Sequence, residues 1–92
     1  MNPVSAVPYL SLNGVYRNNR LIGLQYAIER KSHVTLGIYN LLGRSVLNLV
    51  NDVLPAGTYY RSIADENIAT GAYISKLTAG KRAVSHKITL IK

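Results

Sequence analysis

Short runs in which apolar and polar residues alternate recur along the chain and predict β-strands. The clearest run is residues 34–40, where Val34, Leu36 and Ile38 fall on one face of an extended chain. Strands are predicted over residues 9–14, 21–29, 34–40, 45–50, 58–64, 72–78 and 83–91. No segment keeps apolar residues at helical spacing over three turns, so the pattern predicts an all-β sandwich or barrel.

The segments between these strands are rich in residues that form turns. Asn13-Gly14 is predicted to close the first strand, and residues 15–20 are predicted as a polar turn. Gly43 is predicted to occupy the left-handed position of a hairpin with a glycine bulge. Residues 51–57 are predicted as a longer connection.

Two predicted strands open with glycine and tyrosine two residues apart, at Gly57 and Tyr59 and at Gly71 and Tyr73. Residues i and i+2 of a strand share a face, so each ring is expected to cover the bare backbone of its glycine. Each hydroxyl is then expected to bond a main-chain group near the start of the strand. The arrangement resembles the tyrosine corner of immunoglobulin-like sandwiches and favours a structural role over a ligand site.

Composition indicates one small globular domain. The chain has 92 residues, of which 48% are hydrophobic and 16% charged, and it has no cysteine for disulfides or thiolate metal sites. Residues 1–8 hold two prolines and no periodicity and are predicted as a linker, with residues 9–92 as the single domain. No apolar run approaches the roughly 18 residues of a membrane-spanning helix.

Residues suited to catalysis are few and scattered. The four acids are Glu29, Asp52, Asp65 and Glu66, and none is expected to face another across a cleft. His33 and His86 have no neighbouring acids to complete a metal site. There is no G-x-S-x-G, G-x-G-x-x-G or Walker motif. The sequence therefore predicts a protein that is not an enzyme, with no catalytic residues, metal or cofactor.

Eleven Lys and Arg against four Asp and Glu give a net charge of +7, which attracts polyanions such as nucleic acid, lipopolysaccharide or acidic polysaccharide. The candidate polyanion-contact residues are Arg17, Arg20, Arg30, Lys31, Lys81 and Arg82. They form either a solvated pattern that protects sheet edges or a polyanion-binding face. A protein that binds nucleic acid usually has exposed aromatic side chains among its cations. The tyrosines of this chain mostly lie in alternation patterns that the fold itself explains, which argues against nucleic acid as the ligand.

Six motifs in fixed order resemble a known family. They are Ile38-Tyr39-Asn40, Gly43-Arg44, Leu54-Pro55-Ala56-Gly57-Thr58-Tyr59, Gly71-Ala72-Tyr73, Ala79-Gly80 and Lys87-Ile88-Thr89-Leu90. Residues 34–92 thus resemble the C-terminal sorting domain of the type IX (Por) secretion system, which is related to the immunoglobulin-like domain of the flagellar hook-capping protein. Asn40 stands where the family usually has Asp, and Ile63 stands near its usual Trp. The resemblance implies an immunoglobulin-like antiparallel β-sandwich of about seven strands. The motif residues expected to support it are Gly43, Arg44, Pro55, Gly57, Tyr59 and Gly80.

The resemblance implies a non-catalytic domain at the C-terminal end of a longer secreted protein. Such domains direct an attached hydrolase or adhesin from the periplasm of a Gram-negative bacterium through an outer-membrane translocon to the cell surface. There, a surface peptidase in some cases removes the domain and links the cargo to lipopolysaccharide. The implied recognition residues are Gly71, Tyr73, Lys87, Ile88, Leu90 and Lys92. A terminal strand suits β-augmentation by a receptor and also allows a homodimer through its edge.

Two alternatives remain open on the sequence. One is a basic accessory module that binds polysaccharide or the anionic cell envelope, although the chain lacks the Trp that usually stacks on sugars. The other is a structural domain similar to the hook-capping domain. Binding of the isolated domain to insoluble cellulose, xylan or lipopolysaccharide would favour the accessory module, and loss of that binding at high salt would indicate charge rather than a carbohydrate platform.

Overall fold

The computed structural model describes residues 10–91, which form seven strands and no helix. The strands are β1 Ser11–Arg17, β2 Arg20–Ile28, β3 Ser32–Tyr39, β4 Ser45–Leu54, β5 Gly57–Ser62, β6 Gly71–Ala79 and β7 Arg82–Leu90. The predicted all-β class is confirmed. The predicted linker at residues 1–8 and the predicted recognition residue Lys92 lie outside the described residues.

The strands form two antiparallel sheets with the orders β1-β2-β5 and β4-β3-β6-β7. Packed face to face, they make the immunoglobulin-like sandwich that the resemblance implied. In the constant-type immunoglobulin domain the fourth strand belongs to the sheet of the first two strands. Here β4 joins the sheet of β3, β6 and β7 instead. As a result, β4 and β7 are the two edges of the larger sheet.

The core lies between the sheets and follows the predicted alternation. Val34, Leu36 and Ile38 are fully buried on β3, Leu77 is fully buried on the adjacent strand β6, and Leu24 is fully buried on β2 of the opposite sheet. Burying each such side chain contributes about 1.5–3 kcal/mol. The remaining buried hydrophobic residues of the cluster are Leu12, Leu21, Tyr26, Ile28, Leu49, Ile63, Ile68, Ala79, Ile88 and Leu90.

The turn predicted at Asn13-Gly14 is wrong, because both residues lie inside β1. A side chain at Gly14 would come within 2.9 Å of the Tyr16 ring and 2.7 Å of the Leu21 side chain, so the glycine leaves room for both of them. The turn predicted at residues 15–20 is present but shorter, because β1 runs to Arg17 and β2 begins at Arg20. It consists of Asn18-Asn19, where both residues have positive φ, at 53° and 64°. That geometry defines a two-residue type I′ hairpin turn.

The connection predicted at residues 51–57 is too long, because β4 continues to Leu54. Asn51 and Asp52 are polar because β4 is a sheet edge and both side chains are exposed. The pairing of β4 with β3 is irregular at two points, one of which adjoins the 41–44 turn. In that turn Gly43 has φ +88°, the left-handed conformation predicted for it.

Asn40 organises the β3–β4 turn. Its Oδ1 accepts hydrogen bonds from the N–H groups of Leu42 (2.9 Å) and Arg44 (3.0 Å), and its carbonyl accepts one from the Gly43 N–H (2.9 Å). The carboxylate of the family's usual Asp offers the same acceptor. The asparagine therefore preserves the chemistry that this turn requires.

Candidate functional site

The β6–β7 hairpin carries most of the predicted recognition residues. Its two-residue turn, Gly80-Lys81, has positive φ only at Gly80 (+62°), as expected of a type II′ turn. The Gly80 N–H donates to the His33 carbonyl (3.1 Å) and fastens the turn to β3. From there the two strands pair without a bulge as far as Gly71 and Leu90.

Four of the predicted recognition residues meet on the inner face of this hairpin. Gly71 lies opposite Leu90, and Tyr73 lies opposite Ile88. The Tyr73 hydroxyl donates to the Ala69 carbonyl (2.7 Å), and its ring lies 3.6 Å from the position that a side chain on Gly71 would occupy. Since Ile88 and Leu90 are only 5% and 6% exposed, these four residues hold β7 to the body of the domain.

Lys87 lies on the opposite face of β7, where it is exposed and pairs with Ile74 of β6. Lys76 of β6 is likewise exposed on the outer face of the sheet. A partner of the folded domain thus meets Lys87 and its exposed neighbours rather than Ile88 or Leu90.

The second tyrosine has the same geometry as Tyr73. The Tyr59 hydroxyl donates to the Pro55 carbonyl (2.6 Å). Its ring stacks on Tyr26 with centroids 5.4 Å apart and planes inclined by 18°. Burial raises the pKa of the Tyr26 phenol, Tyr59 raises it further, and Arg61 acts in the opposite direction. The main-chain hydrogen bond and the stacked ring make the Tyr59 corner a structural support.

The open edge of β7 is set by the register of the hairpin. Residues that flank a two-residue hairpin turn form a hydrogen-bonded pair, and such pairs alternate with non-hydrogen-bonded pairs along the ladder. Arg82 is therefore bonded to β6, and so is every second residue after it. The N–H and C=O groups of the intervening residues point away from the sheet; these residues are Ala83, Ser85, Lys87 and Thr89.

The edge of β4 is built differently. The Val53 N–H donates to the carboxylate of Asp52 (2.8 Å), and the Leu49 carbonyl accepts from the guanidinium of Arg61 (3.3 Å). Two pairing irregularities also interrupt this strand. Charged side chains and bulges on an edge protect it from pairing with another chain.

The edges of the smaller sheet are also interrupted or short. The pairing of β1 with β2 shifts between Val15 and Tyr16, and β5 has only six residues. Among the four sheet edges of the described residues, β7 alone offers nine residues in a regular, uncapped ladder.

The structure does not bring the six predicted polyanion contacts onto one face. Arg17 and Arg20 flank the β1–β2 turn at one end of the sandwich. Arg30 and Lys31 of the β2–β3 connection lie at the other end with the β6–β7 turn, which carries Lys81 and Arg82. The sequence could not show this division, because it follows from which strand ends meet in space.

The described residues contain no cluster of three or more His, Cys, Asp or Glu side chains that could hold a metal ion. His33 bonds through Nε2 to the Asn51 side chain (2.5 Å). No helix long and apolar enough to cross a membrane occurs in residues 10–91.

The two packed sheets define a small immunoglobulin-like β-sandwich, and β7 forms an open edge of its larger sheet. The chain belongs to the secretion system C-terminal sorting domains, since the model of that family matches residues 2–92. The match extends well beyond residues 34–92, where the motifs were recognised. Members of the family are non-catalytic sorting signals for type IX secretion, which implies interaction with the secretion machinery and export to the cell surface or beyond. No curated protein and no solved structure matches the chain.

Proposed function

We propose that this domain directs an attached hydrolase or adhesin through the outer membrane of a Gram-negative bacterium, and that the secretion translocon reads the open edge of β7. The observation that carries this proposal is the regular, uncapped ladder from Arg82 to Leu90. The cargo crosses from the periplasm to the cell surface, where a peptidase releases it for attachment to lipopolysaccharide.

The chemistry of the edge suits an added strand. Main-chain hydrogen bonds supply affinity when a strand joins a sheet edge, and side chains supply specificity. Ala83, Ser85 and Thr89 are small, so a second backbone meets little steric hindrance on this side. Lys87 is the only cation among these four outward residues. Its charge opposes pairing with an identical strand and favours a partner strand that places an acidic residue next to Lys87.

The buried recognition residues act through the position of β7. Tyr73, Ile88 and Leu90 face the core, so they fix the strand while leaving its outer edge accessible. Deleting residues 87–92 would remove two core side chains together with the edge. That deletion cannot separate loss of the signal from loss of the fold, and a point substitution at the edge is the sharper test.

The test replaces Ser85 with Pro in a fusion to a secreted reporter. The Ser85 N–H points outward, so proline removes a donor from the open edge without removing a bond to β6. We expect the reporter to accumulate in the periplasm. Ser85→Ala, which keeps the N–H, is the matched control and should be exported normally.

The circular dichroism spectrum and melting temperature of both variants establish that they fold alike. Normal export of a folded Ser85→Pro fusion would show that the translocon does not use this edge. Lys87→Glu tests the side-chain contribution alone, because it reverses one charge and keeps every main-chain group. It should slow export if the partner strand is acidic and leave export unchanged if only main-chain hydrogen bonds matter.

A further inference from the structure

Two basic turns meet at the end of the sandwich opposite the β1–β2 turn and enclose a surface cleft. The cleft has a volume of about 310 Å³, at the lower limit of ligand pockets. Its polar lining comes from the β2–β3 connection and the β6–β7 turn, and consists of Glu29, Arg30, Ser32, Lys81 and Arg82.

The cleft is held in shape before any ligand arrives. The Gly80 N–H bonds the His33 carbonyl (3.1 Å), and Arg82 forms an ion pair with Glu29 across the gap between the two turns. The Ser32 hydroxyl donates to the Arg30 carbonyl (2.9 Å) and tightens the connection. A site whose walls are fixed loses little conformational entropy on binding.

The charges of the cleft are unbalanced. Glu29 is its only acid and is already paired with Arg82. Neither Arg30 nor Lys81 forms an ion pair within residues 10–91, and both side chains are exposed. Two cations therefore face one cleft without a carboxylate to neutralise them.

We propose that this cleft binds the anionic group of an acidic sugar, with Arg30 and Lys81 as its principal contacts. Guanidinium and ammonium groups bind carboxylates and phosphates through charge-assisted hydrogen bonds, and the open shape admits one unit of a longer chain. No aromatic side chain lines the cleft, which argues against stacked nucleobases and leaves the anionic group, rather than a stacked sugar ring, as the point of contact. Leu10 and Ala79 are its apolar residues, too few to anchor the domain in lipid.

The β1–β2 turn provides a matched control. Arg17 and Arg20 lie at the opposite end and are also exposed, so removing them changes the net charge by the same amount as removing Arg30 and Lys81. General attraction to a basic protein predicts equal effects of the two double variants. A localised site predicts unequal effects.

The experiment follows backbone amide shifts of the 92-residue chain by NMR during titration with oligogalacturonate, glucose 6-phosphate and neutral galactose oligomers. We expect the charged probes to shift amides of Ser32, Gly80 and Lys81. Arg30→Ala with Lys81→Ala should weaken binding about fivefold to tenfold, as expected from two exposed charge contacts, whereas Arg17→Ala with Arg20→Ala should change it less than twofold.

The stronger charged probe identifies the source of the anion, either the carboxylate of a uronate or the phosphate of a phosphorylated sugar. Equal losses in the two double variants, equal shifts at both ends of the sandwich, or the same shifts with the neutral oligomer would each overturn the proposal. Arg30 and Lys81 lie outside β7, so export of the Arg30→Ala, Lys81→Ala fusion should be normal.

Discussion

The strands β4 and β7 form the two edges of the same sheet, yet their outer backbones differ. On β4 the Asp52 carboxylate caps the Val53 N–H, Arg61 caps the Leu49 carbonyl, and two irregularities break the ladder. On β7 the ladder is regular, and no side chain of the described residues bonds its outward groups. An uncapped edge is therefore not imposed by the small size of the domain, because the same sheet closes its other edge.

The open edge does not make β7 a loose strand. Ile88 and Leu90 are buried in the core, and Tyr73 anchors the neighbouring strand at the same end. On β4 only Leu49 is buried to a similar degree. Strong attachment on one face and free backbone groups on one edge are the combination that a recognition strand needs.

The largest expected effect comes from weakening the attachment of β7. Leu90→Ala should lower the free energy of unfolding by about 2–4 kcal/mol, because it removes a buried side chain and leaves a cavity. Thr89→Ala, on the exposed face beside it, should change stability by less than about 0.5 kcal/mol. Urea denaturation measures both values. Similar losses in the two variants would show that β7 is not held through its inner face.

The two faces of β7 could be predicted from the sequence, because alternation and two-residue turns are local properties. All seven strands were predicted for the same reason. The main-chain hydrogen bonds of the Tyr59 and Tyr73 hydroxyls were also predicted, and each hydroxyl donates to the carbonyl four residues before it. The errors fall where residue types typical of turns occur inside strands for another reason. Gly14 was interpreted as a turn residue but makes room for the Tyr16 ring, and Asn51-Asp52 belongs to an exposed edge rather than a loop.

The order of the strands, by contrast, depends on pairings between residues far apart in the chain. Alternation alone could not show that β4 and β7 would be edges, that Arg61 would reach the Leu49 carbonyl, or that the Arg30 and Lys81 turns would meet. Ile68 illustrates the same limit, since it is buried although it lies in the loop between β5 and β6. The candidate sites follow from this long-range geometry.

A smaller effect is expected from removing the Arg61 cap on β4. The guanidinium bonds the carbonyls of Leu49 (3.3 Å) and Ser62 (2.9 Å) and pairs with Glu66 (3.5 Å). Arg61→Lys keeps the charge but loses the fork that reaches several acceptors, so we expect a loss of about 1 kcal/mol in unfolding free energy.

Glu66→Gln separates the ion pair from the carbonyl bonds. It removes only a partly exposed charge pair, which is worth at most a few tenths of a kcal/mol, and leaves the contact with Leu49 intact. Chemical denaturation of the two variants should therefore rank Arg61→Lys well below Glu66→Gln in stability. The reverse order would mean that Arg61 serves the loop rather than the β4 edge.

The smallest change in stability, and the most direct comparison of the two edges, comes from Asp52. Its carboxylate bonds the N–H of Val53, an outward amide of β4, whereas the outward amides of Ser85, Lys87 and Thr89 on β7 have no such partner within residues 10–91. Amides bonded only to solvent exchange their protons faster than amides with a protein acceptor. Asp52→Ala should therefore accelerate exchange at Val53 several-fold, towards the rates of the β7 amides, while the exposed site keeps the stability change below about 0.5 kcal/mol.

Asp52→Asn retains the Oδ1 acceptor and should preserve slow exchange. NMR hydrogen exchange on the three proteins gives the rates, and equally slow exchange at Val53 and Lys87 in the unaltered chain would contradict the contrast between a capped and an open edge.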